Sequence, residues 1–416
     1  MAVNAHRVFY SPNGQSNYLA GLKVDDGDEN ELREARDDIR ETLKQGFHDW
    51  EDVIEKRQLF EDTALASLEF ARLQALRPKF RMQGSWSYHT LNRTTIEPPQ
   101  EIDLDDGIFL PTSFLTAGGA THPAIVSDSY FSAVEAILKP LCDTRGWKLD
   151  DPKPSCVRVS ISDGAHVDLA LYAIPDDEYH VLLEKAERRT TASFGVQILD
   201  EAEQFNRDVY PALPTDHIML AHRAEGWKPS DPRKLEDWFN AAVVKHGPQL
   251  RRVCRYLKGW RDNQWEGCSL SSIALMACVV SAYDQAVPRP ADNRDDLALL
   301  MVASAMPTLL ANTIGNPVVD GQRLDEGWTD ECRAEFVDAA RSLRAILVDA
   351  LAQTTAANAI SKLRDGFGHY VPNDPGLIEI SITEGPAILT SGMLGELGDE
   401  PDARQAVKLG GDGRYG

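Results

Sequence analysis

The sequence predicts an α+β protein of two lobes, a strand-bearing half followed by a helical half. Three patterns carry that expectation. Between residues 80 and 225, short runs alternate apolar and polar side chains, the period of half-buried strands. From 230 to 370, apolar residues recur almost throughout at intervals of three and four, the period of helices packed on a core. Ahead of both, residues 29–56 carry one long amphipathic helical pattern. With 416 residues there is ample core for one large two-lobed unit or two domains. The boundaries predicted are an N-terminal segment with spine helices over 1–79, a strand-bearing core over 80–228, a helical lobe over 229–393 and a tail over 394–416.

Asp25-Asp26-Gly27-Asp28 supplies a stop and a cap for the first long helix. Along it, Leu32, Ala35, Ile39, Leu43, Phe47, Trp50 and Ile54 recur at three and four, and a second helix is expected from about Ala64 to Leu76. Together they read as a spine packed across both lobes. Cys156–Ile161 alternates, with Val157, Val159 and Ile161 on one face. Ser162-Asp163-Gly164-Ala165 is a turn, and His166–Tyr172 alternates again, which predicts a β-hairpin. Further on, helices are predicted over Leu235–Lys245, Gln249–Asn263, Ile273–Asp284, Arg294–Ala305 and Thr329–Thr354. A proline-bearing connection spans 285–294, and 316–327 reads as a loop. From about Leu394 the chain is rich in Gly and Asp with few large apolar residues, which predicts a disordered tail.

Chemistry is concentrated in Gln83-Gly84-Ser85-Trp86-Ser87-Tyr88 and Asp103-Leu104-Asp105. On a strand, residues two apart share a face, so Asp103 and Asp105 aim two carboxylates at one spot while Leu104 faces the core. Two such anions repel unless a cation lies between them. Mg²⁺ suits carboxylate oxygens and takes phosphates or waters as its other ligands. Gly84 lets the backbone approach a phosphate, and Ser85 can donate to it. Asp168 is a third carboxylate, in mid-strand between Val167 and Leu169, where a solvated aspartate is unfavourable. These residue types in this order imply metal-dependent nucleotidyl transfer. Asp168 would then be a metal ligand and the base for an attacking hydroxyl, and two Mg²⁺ or Mn²⁺ ions would clamp an in-line displacement at phosphorus.

Composition narrows the partners. Lys and Arg number 43 against 65 Asp and Glu, a formal charge of −22. Duplex nucleic acid is bound mainly through phosphate neutralisation, so activation by long DNA or RNA is not expected. Nucleoside triphosphates need only a local positive funnel. One is offered by Arg251, Arg252, Arg255, Lys258 and Arg261, with Arg251, Arg255 and Lys258 on one helical face and Val253, Leu257 and Trp260 on the other. After it, Gly267–Ser272 leads into the apolar run Ile273–Val280. Serines at a helix start cap it and leave N–H groups for a phosphate. No apolar run approaches a membrane span, and Met1–Arg7 has no apolar h-region. The six cysteines show no Cys-x-x-Cys spacing, so reduced thiols in the cytoplasm are expected.

Gln83–Asn92, Glu101–Pro111 and His166–Pro175 resemble the bacterial cGAS/DncV-like nucleotidyltransferases, and so do Ser230-Asp231-Pro232 with Glu236–Phe239 and Arg252–Trp265 with Ser271-Ser272-Ile273. The likeness is close over residues 80–280 and loose elsewhere. It implies a polymerase-β-like nucleotidyltransferase core with a mixed sheet, a C-terminal helical lobe and an active site in the cleft between them. Asp103, Asp105 and Asp168 match the family's catalytic, metal-binding acids. Nucleotide contacts are implied at Gln83, Gly84, Ser85, Tyr88, Arg158, Ser230 and Lys258, and at Ser272, with Ser271 the runner-up. Arg158 faces two outcomes. A two-residue turn at Asp163-Gly164 pairs it with Leu169 and turns it away from Asp168; a longer loop or a bulge puts both on one face.

The resemblance further implies a cyclic dinucleotide synthase using ATP and GTP. The product implied is 3′,3′-cyclic GMP-AMP, made through a linear intermediate, which switches on an effector in anti-phage signalling. A different cyclic product, a linear transferase and a catalytically dead nucleotide sensor are the alternatives. Some members of the family are joined to other proteins through their C-terminus by a ubiquitin-activating-like partner, and the tail ending Tyr415-Gly416 is compatible with that role.

Overall fold

The computed structural model describes residues 2–48, 78–97, 99–111, 123–174, 218–230 and 232–381. The chain opens with strand β1 (Ala2–Asn4), the helical turns α1 (His6–Phe9) and α2 (Tyr18–Gly21), and helix α3 (Asp26–His48). Asp25 starts α3: its Oδ1 accepts the N–H groups of Gly27 and Asp28, both at 3.0 Å, satisfying two donors that a helix start leaves open. Leu32, Ala35, Ile39, Leu43 and Phe47 are buried along its inner stripe. The expected continuation to residue 56 and the helix at Ala64–Leu76 lie outside the described residues, as does the tail with Gly416.

Next come β2 (Lys79–Met82), α4 (Gly84–Ser87), β3 (Ile102–Pro111), α5 (Pro123–Arg145), β4 (Lys148–Leu149), β5 (Cys156–Ser162), β6 (Ala165–Ile174), β7 (Met219–His222) and β8 (Gly226–Pro229). They build one mixed sheet of order β2-β3-β6-β5-β4, with β7 on the far end of β6 and β8 on β7. β3 and β6 run parallel; the other pairs are antiparallel. A parallel pair needs a long crossover, and α5 lies within it. One sheet face is sealed by α3 and α5: Leu104, Ile108, Val157, Val159, Val167 and Leu169 pack with Leu43, Phe47, Phe131, Val134 and Leu138.

One feature departs from the sequence reading. Helix α5 was not predicted. Tyr130, Phe131, Val134, Ile137 and Leu138 are buried along it, but Pro140 lies inside it, and an interior proline argues against a helix in sequence. The two spine helices were expected to pack across both lobes together; the buried side chains of the first helix's described turns belong to the sheet core, and the second helix lies outside the described residues. The segment before α3 reaches the other lobe: Val3, Val8, Phe9, Tyr18 and Leu22 are part of the helical core.

That core is built by α6 (Pro232–His246), α7 (Pro248–Gln264), α8 (Ser272–Gln285), α9 (Asp295–Ala311), α10 (Asp330–Ala352) and α11 (Ala356–Phe367), followed by β9 (Glu379–Ser381), which pairs with β1. The five predicted helices are present, and α11 adds another, capped by the Thr355 side chain. Pro248 opens α7, where a missing N–H removes no helical hydrogen bond. Val253, Leu257 and Trp260 are buried on its inner face. Among the described residues no helix is long and apolar enough to cross a membrane. The six cysteines are free thiols.

Candidate active site

The parallel register of β3 on β6 sets Asp105 opposite Asp168 and Asp103 opposite His166. Leu104 and Val167 are fully buried in the sheet core, so their alternating neighbours stand on the opposite face, toward the helical lobe. Strand pairing thus gathers three carboxylates that lie up to 65 residues apart in the chain. Asp106 faces the other way. It is fully buried, and the Arg40 Nε and Nη2 atoms donate to its two oxygens at 2.7 Å each, tying the acidic strand to α3. The period-2 rule puts Asp106 on that face, but no sequence signal names Arg40.

On the other side of β6, Ser162 pairs with Ala165, whereas Ser160 pairs with His166 and Arg158 with Asp168. The register shifts between Ser160 and Ser162, so β5 carries one extra residue. Of the two outcomes open to Arg158, the bulge is the one realised. Arg158 Nε and Nη2 donate to Asp168 Oδ1 and Oδ2, each at 2.7 Å. That hydrogen-bonded pairing is the main reason the guanidinium holds its proton more tightly than usual.

The glycine turn closes against these acids. Gly84 begins α4 with φ +60°, and a Cβ there would lie 1.9 Å from Asp105 Oδ2. Only glycine both tolerates that backbone and leaves the room. Gln83 N–H donates to the Asp105 backbone carbonyl at 2.9 Å, and Gln83 Oε1 accepts from the Tyr172 hydroxyl at 3.0 Å. Ser85 Oγ, Gln83 Nε2 and Thr90 Oγ1 are buried with no hydrogen-bond partner among the described residues. Buried polar atoms of this kind are normally satisfied, and these three line one hollow. Tyr88 lines it too, with its ring 6% exposed and edge-on to Phe239.

The helical lobe supplies the opposite wall. Lys258 is buried in mid-α7 and donates to the Thr90 carbonyl at 2.9 Å. Burial lowers its pKa, opposed chiefly by the negative charge of Asp103. Ser271 caps α8 by accepting the Ala274 N–H, and Ser272 Oγ accepts from Arg261 at 3.1 Å. The first N–H groups of α8 have no intrahelical acceptor and end at the cleft. Ser230 lines the same hollow, its N–H donated to the Ile218 carbonyl at 3.1 Å. The basic stripe is mostly committed elsewhere. Arg252 forks Asp295 at 2.7 Å, Arg255 donates to Asn92 at 2.9 Å, and Arg251 donates to Asn240 at 3.2 Å. Lys258 and Arg261 are the members of that stripe that line the cleft.

Two adjoining hollows result, of about 350 Å³ on the Gly84–Ser85 side and about 300 Å³ on the Arg158–His166 side. They share Asp103, Lys258, Ser271 and Ser272 as walls. The Asp105 carboxyl is pushed up to about 8, first by burial and then by Asp103 and Asp168. A carboxyl so placed ionises readily only when a cation joins it. Among the described residues no group of three or more His, Cys, Asp or Glu side chains is placed to hold a metal ion. The sequence expected three metal-binding aspartates; here Arg158 takes both oxygens of Asp168, leaving Asp103 and Asp105 as the open pair. Mg²⁺ suits that arrangement, because it is commonly held by one or two carboxylates together with substrate phosphates.

Known proteins fit this architecture. Residues 78–172 match the family model described as cyclic GMP-AMP synthase DncV-like, nucleotidyltransferase domain, and residues 247–380 match the cyclic GMP-AMP synthase C-terminal domain. A cyclic GMP-AMP synthase of Escherichia coli (strain TW11681) is 32% identical over 368 residues, covering 85% of this chain and 79% of that protein. One from Vibrio cholerae serotype O1 is 31% identical over 314 residues, covering 72% and 69%. The crystal structure of Vibrio cholerae DncV with the linear intermediate 5′-pppA(3′,5′)pG superposes with a TM-score of 0.72 at 26% identity, covering 92% of this chain and 100% of that one. The same enzyme with nonhydrolyzable GTP gives 0.70 at 25% identity, covering 91% and 100%. With sequence, both domain models and fold in agreement, the chain belongs to the cGAS/DncV-like nucleotidyltransferases, a family of cyclic dinucleotide synthases.

Proposed function

We propose that this chain joins ATP and GTP, through a linear intermediate, into 3′,3′-cyclic GMP-AMP, and that the product acts in the cytoplasm as a second messenger in anti-phage defence. The observation that carries the reading is the register of β3 on β6, which sets Asp105 beside Asp168 at the edge of the Gly84–Ser85 turn. The relatives support the choice of nucleotides: they are cyclic GMP-AMP synthases, and one is solved with a linear adenylyl–guanylyl intermediate.

In this reading residues 80–228 are the catalytic core and 229–393 the helical lobe that closes it. The Gly84–Ser85 turn, Gln83, Lys258 and the α8 start at Ser271 and Ser272 hold the donor triphosphate, with Ser230 and Tyr88 walling the same hollow. Asp103 and Asp105, with Asp168 once it shares its lone pairs with Arg158, would hold two divalent cations. Those ions would supply charge neutralisation at the triphosphate and lower the pKa of the attacking hydroxyl. Asp168 orients that 3′-hydroxyl and takes its proton. The 3′-oxygen attacks the donor α-phosphorus, the bond from that phosphorus to the bridging oxygen breaks, and pyrophosphate leaves. The linear product then turns over in the same cleft, so that a second attack closes the ring and releases a second pyrophosphate.

Incubation of purified protein with each labelled NTP in the presence of the other three, followed by phosphatase and a 3′–5′-specific nuclease, tests this. A phosphatase-resistant, nuclease-sensitive product that requires both ATP and GTP is expected. Phosphatase-sensitive ladders would favour a linear transferase. Binding of nucleotides without pyrophosphate release would mark a sensor.

A further inference from the structure

His166 stands on the cleft face beside the three aspartates with one ring nitrogen unused. Its Nδ1 lies 2.6 Å from Glu101 Oε2. An ionised carboxylate only accepts, so that nitrogen carries the hydrogen and the ring is held at a fixed angle. Its Nε2 is buried, has no hydrogen-bond partner among the described residues, and lies 4.0 Å from Asp168 Oδ2, beyond hydrogen-bond reach. The side chain is 7% exposed and helps to line the hollow of about 300 Å³ shared with Arg158, Asp103 and Lys258.

We propose that His166, oriented by Glu101, binds the 2′-hydroxyl of the acceptor nucleotide, so that it selects ribonucleotides and keeps the 3′-hydroxyl at Asp168. The proposal rests on the nucleotidyl-transfer reading above. Its geometry follows from chemistry at Asp168. An attacking 3′-hydroxyl must approach that carboxylate, and the 2′-oxygen sits on the adjacent ribose carbon. His166 Nε2 is a buried, unpartnered polar atom just beyond hydrogen-bond distance from Asp168 Oδ2. A hydroxyl satisfies this nitrogen in either form of the ring, because it both donates and accepts. An acceptor without the 2′-oxygen leaves Nε2 buried and unpaired, which is how a polar site rejects an analogue lacking a hydroxyl. The same contact fixes which of two neighbouring hydroxyls meets the acids, and hence the linkage.

The test uses the full chain with Mg²⁺ and compares ATP plus GTP with pairs in which one nucleotide is its 2′-deoxy form. Pyrophosphate release gives kcat/KM, and a 3′–5′-specific nuclease reports linkage. Wild-type protein should use at least one 2′-deoxy nucleotide about tenfold less well or worse, as expected for one lost hydrogen bond. In His166→Leu that ratio should collapse toward one, and nuclease-resistant 2′–5′ product should appear. His166→Gln should restore part of the preference, and Glu101→Leu should weaken it by freeing the ring. Equal use of ribo- and 2′-deoxy acceptors by the wild type would overturn the proposal outright, even if His166→Leu proved unable to fold. Full discrimination retained in a folded His166→Leu would overturn it as well. No pyrophosphate release by wild-type protein from any NTP pair would sink the underlying reading instead, so the two failures are distinct.

Discussion

Replacing Asp105 with asparagine separates what the acidic cluster costs the fold from what it does in catalysis. Asp105 is pushed up to about 8 from 3.8 by burial, by Asp103 and by Asp168. A carboxyl whose folded pKa is raised favours the folded state fully below its unfolded value. It loses that contribution as pH rises to the folded value, and nothing further changes above it. Here the loss runs between about pH 4 and pH 8. Four pH units at about 1.36 kcal/mol each give a swing of roughly 5 kcal/mol. This is an upper bound, because the swing belongs to the whole acidic cluster and not to Asp105 alone. Asparagine keeps the shape and cannot ionise. The unfolding free energy of Asp105→Asn should therefore gain on wild type from about pH 4 to about pH 8 and then level off. Urea unfolding of the full chain in EDTA across that range measures the difference. Mg²⁺ with nucleotide should narrow the gap by stabilising only the wild type. Synthesis by the variant should fall by about three orders of magnitude. A stability difference that stays flat within about 0.5 kcal/mol would refute a buried, mutually repelling cluster, and near wild-type turnover would remove Asp105 from the chemistry.

Gly84→Ala would force a Cβ to 1.9 Å from Asp105 Oδ2 on a backbone at φ +60°; it should fold, with a strain of about 1–2 kcal/mol, but lose at least about a hundredfold in kcat/KM, and unaltered kinetics would show that the turn does not abut the reacting phosphate. Lys258→Met should raise KM for ATP or GTP with product identity unchanged, since a lysine meets phosphate as a point charge; steady-state kinetics with both KM and kcat unmoved would make Lys258 a structural contact to the Thr90 carbonyl only. Nuclease-treated protein should synthesise product from NTPs and Mg²⁺ or Mn²⁺ alone, given a formal charge of −22; strong, salt-sensitive stimulation by duplex DNA or RNA would contradict that.

Fold class, the helical half and the shared face of Asp103 and Asp105 were legible along the chain. Each of these is a local signal. Asp103 and Asp105 declare a shared face by their spacing, the inner stripe of α3 by its period, and α7 and α8 by proline, serine cap and apolar run. Tertiary structure decided what those residues meet. Arg158 reaches Asp168 only because one extra residue in β5 shifts its register, and a bulge is a property of the pair of strands, not of either run. Arg251 and Arg255 look like Lys258 on a helical wheel, yet Asn240 and Asn92, contributed by other segments, claim the first two, while the third is buried and donates to the Thr90 carbonyl in the field of Asp103. Strand spacing alone puts His166 on one face with Asp168, but its place opposite Asp103 and its hydrogen bond to Glu101 exist only once β3 and β6 pair in parallel. Spacing along the chain sets which face a side chain takes, whereas charge, burial and hydrogen-bond partners are set by segments brought in from elsewhere, and those decide what a residue can do.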